Sequence, residues 1–289
     1  MTGQFDLEKE VVMEQDAGSN IIKKQNPKRR ILLVVAYDGT NYHGWQLQPG
    51  CATIEGILNE TLSGLFQEEI QVIGASRTDA GVHAYGNIAV FDTNARIPAE
   101  KLPYALNRKL PEDIRIQRAF RVRDDFHPRK CESRKTYEYR ILNTQFPLPQ
   151  KRLYAYWTYY PLDVERMNRA AMILTGEHDF KSFCSVNTQA ETTVRTLYEA
   201  TVCREGSSFD EIVIRVTGNG FLYNMVRIIA GTLIDVGRGK TEPEEIGDML
   251  ENKDRQSSGP TAPAQGLMLM QYRFEDWEKI VIPDITENM

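Results

Sequence analysis

The stretch ILLVVAYDG, Ile31 to Gly39, is a continuous apolar run with β-branched residues, closed by the turn signal Asp38-Gly39. An unbroken apolar run this short predicts a buried strand. Downstream, Thr53 can cap a helix whose apolar stripe is Ile54, Ile57, Leu58, Leu62, Leu65 and Phe66, and a strand follows around Ile70 to Ile73. Asn87 to Asp92 reads as a strand, Pro98 to Leu106 as a short helix and Ile114 to Ala119 as a strand, which sets a β-α-β rhythm. The second half repeats that organisation without a detectable sequence repeat. Strands are expected at Thr136 to Leu142, Val194 to Cys203, Glu211 to Thr217 and Gly266 to Phe274, with helices at Val164 to Leu174, Phe221 to Val236 and Pro243 to Leu250. The connection around Arg204 to Ser208 is hairpin-short, so much of the sheet should be antiparallel.

These segments predict an α+β fold: two similar α/β halves forming a largely antiparallel mixed sheet flanked by helices. The expected divisions are a flexible extension over residues 1–29, an N-terminal half over 30–130, a C-terminal half over 131–275 and a tail over 276–289. A chain of 289 residues with 41% hydrophobic content can bury a sizeable core. No apolar run reaches the ~18 residues of a spanning helix, and the opening MTGQFDLEKE lacks a secretory h-region, so a cytoplasmic protein is expected.

Cys51, Cys131, Cys184 and Cys203 form no CxxC pair and the four histidines are dispersed, so reduced thiols are expected and neither a metal nor another cofactor is indicated. A net charge of −5 argues mildly against a nucleic-acid partner. The charge is unevenly spread, however. Arg115, Arg118, Arg121, Arg123, Arg129, Lys130, Arg134 and Lys135 crowd one stretch, either as a local positive surface or as a solvated run interleaved with Glu112, Asp113, Asp124, Asp125 and Glu132.

Three segments could carry chemistry. In SRTDAGVHA, Ser76 to Ala84, Asp79 precedes a glycine turn and Arg77 stands two residues before it, just past an expected strand end. Asp in such a tetrad is an ordinary turn former, so shaping the turn and doing chemistry are both open readings. In KTYEYR, Lys135 to Arg140, strand alternation puts Lys135, Tyr137 and Tyr139 on one face. Tyr137 is then either a core tyrosine or one that stacks on a base. In FLYNMVRIIAG, Phe221 to Gly231, helical spacing sets Arg227 opposite an apolar face, where it is solvated or lines a cleft and pairs with a carboxylate.

Together these segments resemble the TruA family of tRNA pseudouridine synthases. The marks are YDGTNYHGWQ (37–46), SRTDAGVHA, FHPR (126–129) ahead of KTYEY, GEHDFKSF (176–183), TVRT (193–196), GNGFLYNMVRIIAGTL and APAQGLML, in one order from about Arg30 to Phe274. The resemblance implies the pseudouridine synthase fold with its catalytic cleft between the halves. It implies Asp79 as the catalytic aspartate, Arg227 as the arginine paired with it, and Tyr137 and Arg77 as substrate-binding residues at an extruded uridine. It further implies homodimers that grip the tRNA anticodon stem-loop and isomerise uridines at tRNA positions 38 to 40, with Arg115 to Lys135 as part of the gripping surface.

The chemistry fits those residue types. Burial beside an unstacked base raises a carboxylate's pKa, and a guanidinium, which can bind a carboxylate through two hydrogen bonds without losing its proton, opposes the shift. Ser76 stands where the family has glycine, and it would be strained if the backbone there required φ > 0. Alternative readings are an RNA-binding chaperone without isomerase activity, a synthase acting at other RNA positions, or a phosphatase or glycosidase built on Asp79. The last would need a second carboxylate or a magnesium site near SRTDAGVHA, and none is seen in the sequence.

Overall fold

The computed structural model describes residues 27–186, 188, 190–206 and 210–282. Residues 1–26 of the expected extension and the last part of the expected tail lie outside the described residues. In chain order the elements are β1 (Arg29–Tyr37), α1 (Ile54–Phe66), β2 (Ile73–Gly74), β3 (His83–Thr93), α2 (Leu102–Leu106), β4 (Ile114–Val122), β5 (Ser133–Asn143) and β6 (Tyr156–Thr158). They continue as α3 (Val164–Ile173), β7 (Gly176–Asp179), β8 (Val194–Glu205), β9 (Glu211–Gly218), α4 (Met225–Gly237), α5 (Glu245–Asn252), β10 (Leu267–Phe274) and α6 (Trp277–Ile280).

Among the described residues the strands form one ten-stranded sheet in the order β4-β1-β3-β10-β5-β9-β8-β7, with β2 added to β3 and β6 to β5. All pairings are antiparallel except β3 with β10 and β5 with β6, so the sheet is mixed and largely antiparallel. ILLVVAY lies inside β1, flanked by β3 and β4, which is why its hydrophobicity does not alternate. Ile31, Leu33 and Val35 join the core under the helices, while Leu32 packs into a second, smaller cluster on the opposite face. That second face is covered by Val122, Phe126, Phe274 and Ile280, so α6, which falls in the stretch expected to be a tail, closes part of the core.

The last strand among the described residues, β10, joins β3 to β5. Leu269 of β10 stands opposite Ala84 of β3 on one side and Tyr137 of β5 on the other. The parallel contact with β3 spans only Met268–His83 and Leu269–Ala84. The loop that enters β3 at His83 is thereby brought over Tyr137, a residue far from it in sequence.

Thr53 caps α1 as its position predicts, its Oγ1 accepting from Gly56 N at 3.2 Å. Two expectations are corrected. The strand expected at Ile70 to Ile73 is reduced to Ile73–Gly74, and α4 begins at Met225 rather than Phe221. No helix among the described residues is long and apolar enough to cross a membrane.

Candidate active site

Residues 75–82 connect β2 to β3 and hold Asp79. The loop is fixed from below by fully buried Asn87 of β3, whose Oδ1 accepts from Ser76 N at 3.3 Å and whose Nδ2 donates to Ser76 O at 2.9 Å and to the Tyr37 hydroxyl at 3.2 Å. The Tyr37 and Thr78 hydroxyls are 2.7 Å apart. From above, the YDGTNYHGWQ stretch supports the same loop: Trp45 N donates to Thr78 O at 3.0 Å and Gly81 N to Tyr42 O at 3.2 Å. Gly44 has φ +84°, and a Cβ there would stand 2.6 Å from Thr78 O, so only glycine lets the two backbones meet. Both segments act as scaffold for the carboxylate between them.

The backbone of Asp79 and its side chain make different contacts. Val82 N donates to Asp79 O at 3.1 Å, so the backbone makes the turn. The carboxylate is not spent on that turn: its Oδ2 lies 3.3 Å from Arg227 Nη1, and both side chains are 18% exposed. The strain expected at Ser76 is absent, because the positive-φ residues other than glycine among those described are Gln67, Asn224 and Lys253.

Arg227 reaches across from the C-terminal half. Its Nε donates to Ala262 O at 2.8 Å and its Nη1 to Asn224 Oδ1 at 2.8 Å. Ala262 N in turn donates to Arg227 O at 3.0 Å. The strap carrying Ala262 can approach this closely because Gly231 has no side chain, and a Cβ there would meet Pro260 O at 1.8 Å. The Asp79 contact is therefore single, not the two-pronged one that guanidinium geometry allows.

The late start of α4 explains the orientation. Asn224 adopts the left-handed conformation with φ 60°, and its Nδ2 donates to Ser185 Oγ at 2.9 Å. Phe221 and Leu222 thus leave the helical stripe and line the cleft instead, Phe221 meeting Tyr137 edge-on at 5.1 Å between ring centroids. Their apolar character mimicked another turn of helix in the sequence.

Asp79, Arg77, Tyr137, Phe221 and Asn224 line one cleft of about 680 Å³, within the range of ligand sites. Burial is the larger influence on Asp79 and holds its pKa above the usual carboxylate range, while the charge and hydrogen bond of Arg227 pull the other way. Tyr137 is buried, and chiefly for that reason its phenol ionises only well above the ordinary tyrosine pKa. Arg77 is exposed on the cleft wall.

The basic stretch is split up by the fold. Arg115 bonds the carbonyls of Leu110, Pro111 and Ile114, Arg123 pairs with Asp125 at 2.6 Å, and Arg134 pairs with Glu275 at 2.6 Å. Arg118 faces a separate cavity beside α2. Only Arg129 and Lys135 of that stretch reach the cleft. Burial first, then the charges of Arg195 and Arg129, push the Lys135 ammonium down to about 8. Arg195, inside TVRT, was not singled out as a site residue by spacing, and its proximity to Lys135 arises from pairings among β5, β9 and β8. No group of three or more His, Cys, Asp or Glu side chains that could hold a metal ion occurs among the described residues.

A family model described as tRNA pseudouridine synthase matches residues 33–129 and 170–275. The chain belongs to the tRNA pseudouridine synthase family. Among its relatives, tRNA pseudouridine synthase A of Thermoanaerobacter sp. (strain X514) is 49% identical over 243 residues, covering 84% of this chain and 98% of that protein. The proteins of the same name from Acetivibrio thermocellus and Bacillus subtilis (strain 168) are 46% and 44% identical, each covered in full by 85% and 86% of this chain. The segments matched by the tRNA pseudouridine synthase model contain Asp79, Arg129, Arg195 and Arg227, whereas Tyr137 and Lys135 fall between them.

Proposed function

We propose that this chain isomerises uridine to pseudouridine in the anticodon stem-loop of tRNA, at positions 38 to 40, as a cytoplasmic homodimer. The observation that supports this most is a partly buried carboxylate, Asp79, whose ion-pair partner Arg227 comes from the other half of the chain, beside Tyr137 in a cleft of nucleoside size. The reaction breaks the C1′–N1 bond of uridine, turns the uracil within the site and rejoins it through C5. It needs one ionised carboxylate and a pocket that keeps the detached base. Asp79 is the reacting carboxylate, Arg227 keeps it ionised, Tyr137 stacks on or orients the base and Arg77 fills the space left in the RNA. Extruding the uridine costs a few kcal/mol of stacking, which contacts to the RNA backbone offset. Tritium release from tRNA carrying uridine tritiated at C5 tests the reading, because isomerisation exchanges that hydrogen. A protein that binds this tRNA and releases no tritium is a chaperone and not a synthase; mapping the modified uridines checks the positions.

Arg129 and Lys135 on the cleft wall, with Arg195 near Lys135, gather positive charge although the whole chain carries −5, which suits a phosphodiester strand. For Lys135→Gln, we expect the salt dependence of tRNA binding to weaken by about one phosphate contact. Because the charged form meets phosphate, wild-type affinity should fall as pH rises through about 8, and the variant should lack that step. Identical salt slopes and pH dependence in filter-binding titrations would remove Lys135 from the RNA path.

A further inference from the structure

Apart from the Asp79–Arg227 pair, the cleft wall holds a polar side chain that the fold does not use. Ser76 is 5% exposed and lines the cleft, and its Oγ is buried without a hydrogen-bond partner. Its backbone, in contrast, is held at both N–H and C=O by Asn87, so the residue is anchored beside the cleft. Its φ lies outside the left-handed region and sets no requirement for a particular residue. A buried hydroxyl with no partner lowers stability, and such a group calls for a reason beyond folding.

The neighbour that supplies one is Tyr137. The Ser76 hydroxyl is near enough to favour the ionised form of that phenol, yet the pair falls short of hydrogen-bond geometry. Tyr137 is held by its edge contact with Phe221, which lies on the loop ahead of α4 and also lines the cleft. A base entering beside Phe221 and Tyr137 therefore acts on the ring whose hydroxyl the serine can reach.

We propose that Ser76 is a positioning residue for isomerisation: with a uridine in the cleft, Ser76 Oγ–H donates to Tyr137 Oη, and the phenol O–H donates to a carbonyl oxygen of the base. This rests on the isomerase reading. When the N1–C1′ bond breaks heterolytically, its electron pair stays with the uracil, and negative charge spreads onto O2 and O4. A phenol that already accepts a hydrogen bond is a stronger donor, so the contact gains strength as that charge develops. An interaction of this kind raises the rate of the chemical step and leaves ground-state binding unchanged.

The test is a double-mutant cycle of single-turnover tritium release with enzyme in excess. Ser76→Ala should slow release roughly five- to tenfold, the worth of one neutral hydrogen bond. Its tRNA Kd should match wild type, and its melting temperature should equal or exceed wild type, because an unpartnered hydroxyl has been removed. In a Tyr137→Phe background the same substitution should have no further effect. An unchanged rate, an equal loss in the Tyr137→Phe background, or a defect confined to Kd or melting temperature would each overturn the role of Ser76 while leaving the isomerase reading intact. A wild-type protein that releases no tritium overturns that reading, and this one with it.

Discussion

Asp79→Asn should abolish isomerisation, slowing single-turnover tritium release by about four orders of magnitude or more, while the folded protein becomes no less stable. The rate follows from chemistry: an amide of the same shape keeps the turn at Val82 but offers neither a nucleophile nor a base. The stability follows from linkage. Burial outweighs Arg227 and raises the Asp79 pKa in the fold. A carboxyl with a raised folded pKa contributes stability that is complete below the unfolded carboxylate pKa and is lost as pH rises through the folded value. At neutral pH the ionised group is therefore a cost, and asparagine removes it. Arg227 is not stranded, since Ala262 O and Asn224 Oδ1 still accept from it. Thermal melts between about pH 4 and pH 8 should show the variant matching or exceeding wild type, with the gap widening as pH rises. Residual tritium release near the wild-type rate would take Asp79 out of the chemistry.

Arg227→Lys should fold normally and slow release by about ten- to a hundredfold, the range for losing a hydrogen bond to a charged group. The fold should tolerate it because Val226, Ile228, Ile229 and Ala230 bury the body of α4 independently. The rate should not, for a geometrical reason. The guanidinium bonds Ala262 O through Nε while Nη1 meets Asp79 and Asn224. An ammonium has a single head and cannot hold both sides of that arrangement. Circular dichroism should show a wild-type melt alongside the slow rate, and unaltered turnover would show that the ion pair is structural only.

Much of the sheet was legible because its strands are apolar runs of ordinary length, and the helix caps and stripes at Thr53 and Ile54 to Phe66 were equally direct. The start of α4 was not, because Phe221 and Leu222 satisfy helical periodicity while serving as cleft wall. The strands Tyr156–Thr158 and Gly176–Asp179 are too short for periodicity to reveal. In the candidate site, Asp79, Arg77, Tyr137 and Arg227 stood out through their motifs, but their meeting depends on β10 aligning Ala84 with Tyr137, a long-range pairing no local pattern encodes. Arg195 and the unpartnered Ser76 hydroxyl became visible only with the strand register and the burial. The basic run from Arg115 to Lys135 misled in the other direction, because neighbours in sequence were sent to different faces and paired with Asp125 and Glu275.

The central claim is that a partly buried carboxylate, kept reactive by a guanidinium from the other half of the chain, acts on an extruded uridine. The pH dependence of single-turnover tritium release, compared between wild type and Arg227→Lys, tests it most directly. The expected result is an acid limb above the ordinary carboxylate range in wild type, displaced further upward in the variant, where the ion pair opposing burial is weakened. Acid limbs that coincide in the two proteins, or that fall in the range of an unperturbed aspartate, would contradict it.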